Sequence, residues 1–350
     1  MTLKTQEARV TEPPSASVPG TETPGTASLA GEHSAIRKYL LGRGSSVLAD
    51  RSFRWLMILC AFSIFGIVVL IAYELVVRSR LTIAKFGMHF FFASAWNPIS
   101  DNYGALPFIY GTLVSSLIGL IIAVPLAIGV ATFLTEMCPK FLRGPLSFLT
   151  ELLAAIPSVV YGLWAIFVLV PILRDHINPL LIRLFGWSGL FARPNLGIGM
   201  LAAGVILAIM ILPIISSLTR EVMTAVPHTQ REAVLALGAT RWEMIRMGVL
   251  RNARIGIVGS MILGLGRALG ETMAVTMVIG NRPDILKNLL APAYSMASVI
   301  ANEFTEASDP MYLSALVEIG LALFIVTIIV NALAQLLVWA VTRGAPARVS

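Results

Sequence analysis

Residues 255–280 read IGIVGSMILGLGRALGETMAVTMVIG, a stretch that is apolar except for Arg267 and Glu271. A bilayer core requires about 20 mainly apolar residues per helix, so this stretch is long enough to cross a membrane. Small residues recur at every fourth position: Gly256, Ser260, Gly264, Ala268 and Thr272. Such a stripe lets a neighbouring helix approach closely. We therefore predict one transmembrane helix here, inside a helical bundle rather than facing lipid.

Five further stretches have the length and apolar character of membrane spans: residues 55–77, 108–133, 152–173, 194–219 and 319–341. Of all 350 residues, 57% are hydrophobic and 13% are charged, and the mean hydropathy is +0.82. A soluble domain of this size needs a larger charged surface. The sequence therefore predicts an all-α polytopic membrane protein with six transmembrane helices.

The two ends of the chain are predicted to lie outside the membrane. The N-terminal part is rich in Pro, Ser, Thr and Gly and poor in large apolar side chains, so we predict a disordered tail over residues 1–50. A six-span domain follows over 51–343, and a short tail over 344–350. An even number of spans places both ends on one side, where the segments hold 17 Lys and Arg against 8 in the opposite loops. This bias predicts that both termini are cytoplasmic.

Other classes of protein have little support in the sequence. The net charge is +7, but the Lys and Arg residues are spread over loops and no nucleic-acid motif accompanies them. We therefore expect the chain to contact membrane lipid and not nucleic acid. Two cysteines and four scattered histidines form no CxxC spacing and no ligand cluster, so neither a metal nor a cofactor is predicted. No nucleophile–base pair appears in or near a span, so no catalytic residue is predicted.

The two charges of the fifth span are the main candidates for function. Arg267 lies near the middle of the stretch, and on a continuous helix Glu271 would lie one turn further on the same face. A charge at this depth is costly unless it meets water, a partner or a substrate. On a helix, a basic residue followed by an acidic one stabilises less than the reverse order. An ion pair that served packing alone could also be replaced by apolar residues. For both reasons we favour a functional role for Arg267 and Glu271.

A guanidinium matches carboxylate and tetrahedral oxyanions such as phosphate. We therefore predict an anion pathway with Arg267 as ligand and Glu271 as its counter-charge. Thr272, Ser158 and Tyr161 are the candidate hydroxyl groups along it. Two roles for Arg267 stay open: it contacts the ion, or it only holds Glu271 and shapes a gate. By contrast, the carboxylates near span ends are predicted to be interfacial: Glu74, Glu151 and Glu318.

Residues 220–254 form the longest polar segment on the cytoplasmic side apart from the tail. They are predicted to fold as two short helices meeting near Gly238, because glycine suits a helix C-terminus. Thr229 and Glu232 have the spacing of a capping box, which predicts the start of the first helix. The opposite loop over 174–193 is long and has no predicted role.

At this point the sequence resembles a known family. Residues 264–275, GLGRALGETMAV, are similar to the characteristic stretch of PstC-type permeases of phosphate ABC importers. Glu232 and Ala233, followed by Gly238, resemble the cytoplasmic "EAA" loop of binding-protein-dependent importers. The resemblance extends over about residues 55–342 and includes AWNP at 95–98, YGALPFIYG at 103–111 and IPSVVYG at 156–162. Val234 replaces the usual second alanine of the loop, and Leu250 is followed by Arg251 where relatives have proline, so we predict that the helix continues there.

The resemblance implies the fold of type I ABC importer permeases, with a cytoplasmic coupling helix. It also implies a heterodimer with a PstA-type permease subunit, an ATPase dimer on the cytoplasmic side and an extracytoplasmic phosphate-binding protein. Glu232, Ala233 and Gly238 would couple the chain to the ATPase. The chain itself is expected to be non-catalytic, since it has no Gly-Lys dipeptide and hence no P-loop.

Alternatives to phosphate import stay open from the residues alone. A guanidinium does not distinguish phosphate from sulfate or molybdate by charge. A secondary transporter with Glu271 as proton carrier and a signalling protein that conducts nothing are the rivals of other classes.

Overall fold

The computed structural model describes residues 46–193 and 195–342, and within them it contains helices and no β-strand. The α-helices are α1 Ser46–Arg78, α2 Arg80–Phe86, α3 Leu106–Thr132, α4 Lys140–Ala155, α5 Ser158–Trp164, α6 Val170–Ile172, α7 Asn178–Phe185, α8 Met200–Thr224, α9 His228–Ala236, α10 Arg241–Glu243, α11 Arg251–Leu269, α12 Met273–Ile279, α13 Met296–Glu303 and α14 Pro310–Thr342. Short π-helical turns extend several of them: Phe133–Met137, Ala165–Leu169, Leu173–Ile177 and Met244–Leu250. Two 3-10 turns lie at Gly87–Phe91 and Gly186–Ser188.

Six helical segments of the described chain are long and apolar enough to cross a membrane. They are Ala49–Arg78, Leu106–Met137, Ser158–Ser188, Met200–Thr224, Arg241–Leu269 and Pro310–Leu336. The prediction of an all-α protein with six spans is confirmed. The boundaries differ most in the fifth span, which covers Arg241–Leu269 instead of 255–280, and the third span begins after an interruption at Pro157 rather than at residue 152. The helical turns of the third span continue to Phe185, so the predicted loop over 174–193 is largely helical.

At the N-terminal end, α1 begins at Ser46, so the predicted disorder of residues 46–50 is wrong. Leu48 and Ala49 are strong helix formers beside a long apolar run, which extends the helix toward the tail. The predicted tails over 1–45 and 344–350 lie outside the described residues.

The chain forms two compact units, and the boundary between Val68 and Val69 falls inside α1. In the first unit the large apolar side chains are exposed, with Trp55 and Phe62 each more than 60% accessible. Exposed apolar side chains on a helix of this length suit a lipid environment.

In the second unit α8 is the central helix, since it contacts α3, α4, α11 and α12. Its approach to α3 is close because Gly204 faces Ile118, where an added Cβ would lie 2.4 Å from Ile118 Cγ2. Side chains of both helices fill the largest buried core, among them Ala123, Ile206 and Ile211.

The small-residue stripe of the fifth span packs against α8, as predicted. A Cβ on Gly256 would lie 2.4 Å from Val222 Cγ1, and one on Gly264 would lie 2.7 Å from Ile215 Cδ1. Between these contacts the hydroxyls of Thr219 and Ser260 are 3.0 Å apart and hydrogen-bonded. Helix α11 also contacts α3 and α14, and its face with Ile255, Gly259 and Arg267 stays exposed.

Candidate functional site

The fifth span is interrupted where its two charges lie. Helix α11 ends at Leu269, Glu271 and Thr272 form part of a short connection, and α12 begins at Met273. The prediction of one continuous helix over 255–280 is therefore wrong. Gly270 lowers the helical propensity at this point, and the Glu271 carboxylate accepts a hydrogen bond from the N–H of Ala274 in the first turn of α12 (3.4 Å).

The interruption separates Arg267 from Glu271. Arg267 lies in the last turn of α11. At the rise of an α-helix, it is about 20 Å along the helix axis from Arg254 in the first turn. No hydrogen bond or ion pair joins the two side chains in the described part of the chain, so the predicted counter-charge does not neutralise the guanidinium here. The Arg267 side chain is exposed and its donors stay available. Thr272 donates its hydroxyl to the Gly270 carbonyl at 3.4 Å.

A second interruption lies at the start of the third span, between α4 and α5. Helix α4 ends at Ala155, Pro157 has an extended conformation, and α5 begins at Ser158. A proline cannot donate to the preceding turn, which explains why the helix stops there. The Tyr161 hydroxyl donates to the Leu153 carbonyl across the interruption, at 2.8 Å. The Ser158 hydroxyl makes no hydrogen bond to any residue of 46–193 or 195–342.

The two interrupted spans meet at their second helices. Gly162 of α5 lies against α12, where an added Cβ would be 2.4 Å from Met277 Sδ and 3.2 Å from Ala274 Cα. Arg267 is close enough to influence the Tyr161 hydroxyl electrostatically. The structure thus brings the predicted pathway residues of the two spans to one region, where two helices are broken and the Arg267 guanidinium has no partner among the described residues.

Two polar features of the structure were not predicted from the sequence: the burial of Glu318 and a cluster around Glu303. Glu318 lies inside α14 and is fully buried, so its predicted interfacial position is wrong, because the sixth span begins at Pro310 and not at residue 319. Neither of its carboxylate oxygens has a hydrogen-bond partner among the described residues.

The cluster around Glu303 lies where α13 and α14 meet the segment before α3. Glu303 accepts hydrogen bonds from Trp96 Nε1 (2.9 Å) and from the Tyr312 hydroxyl (2.6 Å). Tyr103 stacks on Tyr312 with ring centroids 5.9 Å apart. Burial, and then the nearby Asp101 carboxylate, raise the pKa of Tyr103 to about 12, so its hydroxyl stays neutral. The AWNP and YGALPFIYG stretches therefore build an aromatic contact between distant parts of the chain.

The polar segment after α8 contains the predicted coupling residues. Helix α9 begins directly after Pro227, and the predicted capping box of Thr229 and Glu232 is not formed. The capping box lies instead at Thr240 and Glu243, at the start of α10. Gly238 has φ +83°, which confirms the prediction of a glycine just after the helix end.

The surface of this segment is largely exposed. Glu232 and Ala233 are exposed, and so are the apolar side chains of Leu237 (89%) and Trp242 (62%). On the opposite side Val234 packs near Gly248. From Leu250 the helix continues into α11 without a break, as the residue pair Leu250–Arg251 predicts.

Arg231, the residue before Glu232, was not predicted. Its guanidinium contacts Glu136, which follows α3, and backbone carbonyls at the end of α8. Nothing in the local sequence signals this contact, because Glu136 is 95 positions away.

Comparison with known proteins agrees with this arrangement. The phosphate transport system permease protein PstC of Mesorhizobium japonicum is 49% identical over 76% of this chain and 82% of the relative. The protein of the same name from Pasteurella multocida is 46% identical over 81% of this chain and 90% of the relative. Among solved structures, a bacterial ABC transporter involved in the import of the acidic polysaccharide alginate has a chain that matches with a TM-score of 0.58 at 16% identity, over 85% of this chain and 99% of that chain.

The structural match supports the fold alone, which is that of type I ABC importer permeases. The family model described as the inner membrane component of binding-protein-dependent transport systems matches residues 123–343, which include both interrupted spans and the segment with Glu232 and Gly238. The chain belongs to this family of inner membrane components of binding-protein-dependent transport systems.

Proposed function

We propose that this chain is the transmembrane permease subunit of an ATP-driven importer that moves inorganic phosphate across the cytoplasmic membrane. The observation that carries the proposal is Arg267, whose guanidinium has no protein partner in the described chain and lies where a span is interrupted. An unpaired guanidinium at such a position is a ready ligand for an oxyanion. The relatives named as phosphate transport permeases support phosphate as the ion.

Ion transfer needs a site that binds without trapping the ion. The exposed Arg267 presents several donors, while Thr272, Ser158 and Tyr161 present hydroxyls nearby. The Glu271 carboxylate accepts a hydrogen bond from the Ala274 N–H and does not pair with the guanidinium in the described residues. A carboxylate at this position would weaken the binding of an anion and favour its release. In this proposal Arg267 contacts the ion, and Glu271 tunes how long the ion stays.

The energy is proposed to come from a separate ATPase dimer. The segment with Glu232, Ala233 and Gly238 exposes polar groups beside the apolar side chains of Leu237 and Trp242, a mixture typical of a docking surface. No Gly-Lys dipeptide occurs in the sequence, which supports a non-catalytic role for this chain. Movement of α9 would then open and close the spans.

Two further partners complete the proposed importer. A PstA-type permease subunit would pair with this chain and cover part of its exposed apolar surface. An extracytoplasmic phosphate-binding protein would deliver the ion at the opposite side from α9. Both termini would lie in the cytoplasm of a prokaryotic cell, as the excess of Lys and Arg in the corresponding segments supports.

The proposal is tested by uptake of labelled phosphate into cells that contain the full importer. Arg267→Gln should abolish uptake, because glutamine retains hydrogen-bond donors but not the charge. Arg282→Gln is the matched control: Arg282 is 67% exposed and pairs with Asp284 at 3.0 Å, away from the interruption. We expect uptake by the control to be unchanged and both proteins to reach the membrane in equal amounts.

Competing anions identify the substrate in the same assay. Excess sulfate or molybdate should leave uptake of labelled phosphate unchanged. Normal phosphate uptake by the Arg267→Gln variant would remove Arg267 from the pathway, and strong competition by sulfate would change the proposed ion.

A further inference from the structure

The side chain of Arg231 connects α9 to the ends of two spans. Its Nε and Nη2 atoms donate to Glu136 Oε1 at 3.3 Å and 3.1 Å, and Nη2 also donates to the Met223 carbonyl at 2.8 Å. Its Nη1 atom donates to the Val226 carbonyl. The Arg231 and Glu136 side chains are only 11% and 8% exposed. All three nitrogens of the guanidinium therefore donate hydrogen bonds within the protein.

The partners of Arg231 belong to two different spans. Glu136 lies in the π-helical turn Phe133–Met137 that ends the second span. Met223 lies in the last turn of α8, the fourth span, and Val226 follows it. These two spans supply much of the largest buried core, so a force applied at their ends acts on the centre of the second unit.

The chemistry of arginine makes this contact rigid. A planar guanidinium with five donors can bind a carboxylate and two carbonyls at once, whereas a lysine ammonium lacks this fixed fork. The Met223 carbonyl also accepts a hydrogen bond from the Val226 N–H at 3.3 Å, so the guanidinium is a second donor to it. A cation at this position also favours the negative end of the helix dipole. A small buried cluster that includes Met223, Val226 and Ile245 lies at the same inner ends.

Neighbouring residues of α9 face in opposite directions. Glu232 is exposed, whereas Arg231 is directed into the protein. The nearest comparison is Arg143, which donates to the Thr135 carbonyl of the same turn at 2.7 Å but is exposed and pairs with no carboxylate in residues 46–193 and 195–342. Arg231 is thus distinguished by burial, by its ion pair and by the number of elements it joins.

We propose that Arg231 is a positioning residue that transmits movement of α9 to the second and fourth spans through Glu136 and the carbonyls of Met223 and Val226. This inference rests on the proposed function, in which α9 is the element that an ATPase displaces. In it, Glu232 receives the movement and Arg231 passes it on.

The experiment uses the complete importer in proteoliposomes, with the ATPase, the second permease subunit and the phosphate-binding protein. Phosphate uptake and ATP hydrolysis are measured together for Arg231→Lys, Glu136→Gln, the double variant and the control Arg143→Lys. We expect both single variants to retain the ATPase and to hydrolyse ATP, while phosphate moved per ATP falls at least several-fold. The double variant should be no worse than either single variant, because the two residues act as one unit, and the control should match wild type.

A structural role without transmission predicts a different pattern. Uptake, hydrolysis and bound ATPase would then fall in parallel with an unchanged ratio, which would overturn the proposal, as would an unchanged ratio at full activity. If Arg231→Lys does not reach the membrane, Glu136→Gln decides, since it keeps the shape and an acceptor oxygen. Absence of both from the membrane would assign the pair to folding alone. Failure of the wild-type importer to accumulate phosphate would contradict the proposed function instead.

Discussion

At the scale of single residues, two glycines of the same helix have different surroundings, one closely packed and one open. Gly256 and Gly259 both lie in α11, three residues apart. A Cβ on Gly256 would overlap Val222, whereas no heavy atom of the described chain lies within 4 Å of a Cβ on Gly259. The same chemical change at these two positions therefore has opposite expected effects.

Gly256→Ala should lower the free energy of unfolding by about 1–3 kcal/mol, because the stiff side chain of Val222 must shift. Gly259→Ala should raise it by roughly 0.5–1 kcal/mol, since alanine is the better helix former. Thermal unfolding of the two purified variants in one detergent measures the difference. Equal shifts in the same direction would mean that α11 does not pack on α8 through this stripe.

Glu318 presents the opposite situation, a polar group in an apolar setting. Its carboxylate oxygens are buried without hydrogen-bond partners among the described residues. Desolvation of a polar group that gains no hydrogen bond in the folded protein costs about 1–3 kcal/mol. Glu318→Met, which has a similar volume, should therefore increase thermal stability by an amount of this order.

The control for this change is Glu303→Met in the neighbouring helix. Glu303 accepts hydrogen bonds from Trp96 and Tyr312, so its replacement leaves two donors unpaired and should lower stability. Destabilisation by Glu318→Met would show that its carboxylate has a partner. Loss of uptake at unchanged stability would instead give this carboxylate a role in transport.

At the scale of elements, the sequence predicts the spans better than their interruptions. The number of spans and the stripe at Gly256 and Gly264 follow from local apolar length and from a four-residue spacing. The break at Gly270 escapes such patterns, because apolar residues continue on both sides and hydropathy is the same for one helix or two. At position 157, by contrast, the proline is itself a signal for an interruption. The link from Arg231 to Glu136 was not predictable either, since it joins residues far apart in the chain.

The glycine that ends α9 provides a test at this scale. Gly238 and Gly189 both have a left-handed backbone, with φ +83° and +70°, and at neither does an atom of the described residues lie within 4 Å of an added Cβ. Alanine in this conformation costs about 1–2 kcal/mol at either position. Only Gly238 lies next to the proposed docking surface of the ATPase.

Gly238→Ala should therefore reduce the amount of ATPase that copurifies with the chain and the rate of phosphate uptake. Gly189→Ala should leave both near the wild-type level, although the backbone strain is the same. Parallel purification with a tag on this chain, followed by ATPase quantification, makes the comparison. Equal losses in the two variants would attribute the effect to strain and not to the position of Gly238.

At the scale of the whole molecule, the distribution of Lys and Arg predicts which segments face the cytoplasm. The segment around Leu237 belongs to the basic side, and the segment around Trp187 belongs to the opposite side. Both side chains are almost completely exposed, at 89% and 87%. Leu237 lies outside the six spans and Trp187 lies at the end of the third span, so both are suitable reporters of sidedness.

The orientation is tested after Cys60 and Cys138, the two cysteines of the sequence, are replaced by serine. Trp187→Cys and Leu237→Cys are then introduced singly, and intact cells are treated with a membrane-impermeant maleimide. We expect labelling of the Trp187→Cys variant in intact cells and of the Leu237→Cys variant only after the membrane is permeabilised. The reverse pattern would place α9 outside the cell, where no ATP is available, and would contradict both the ATPase coupling and the proposed direction of phosphate import.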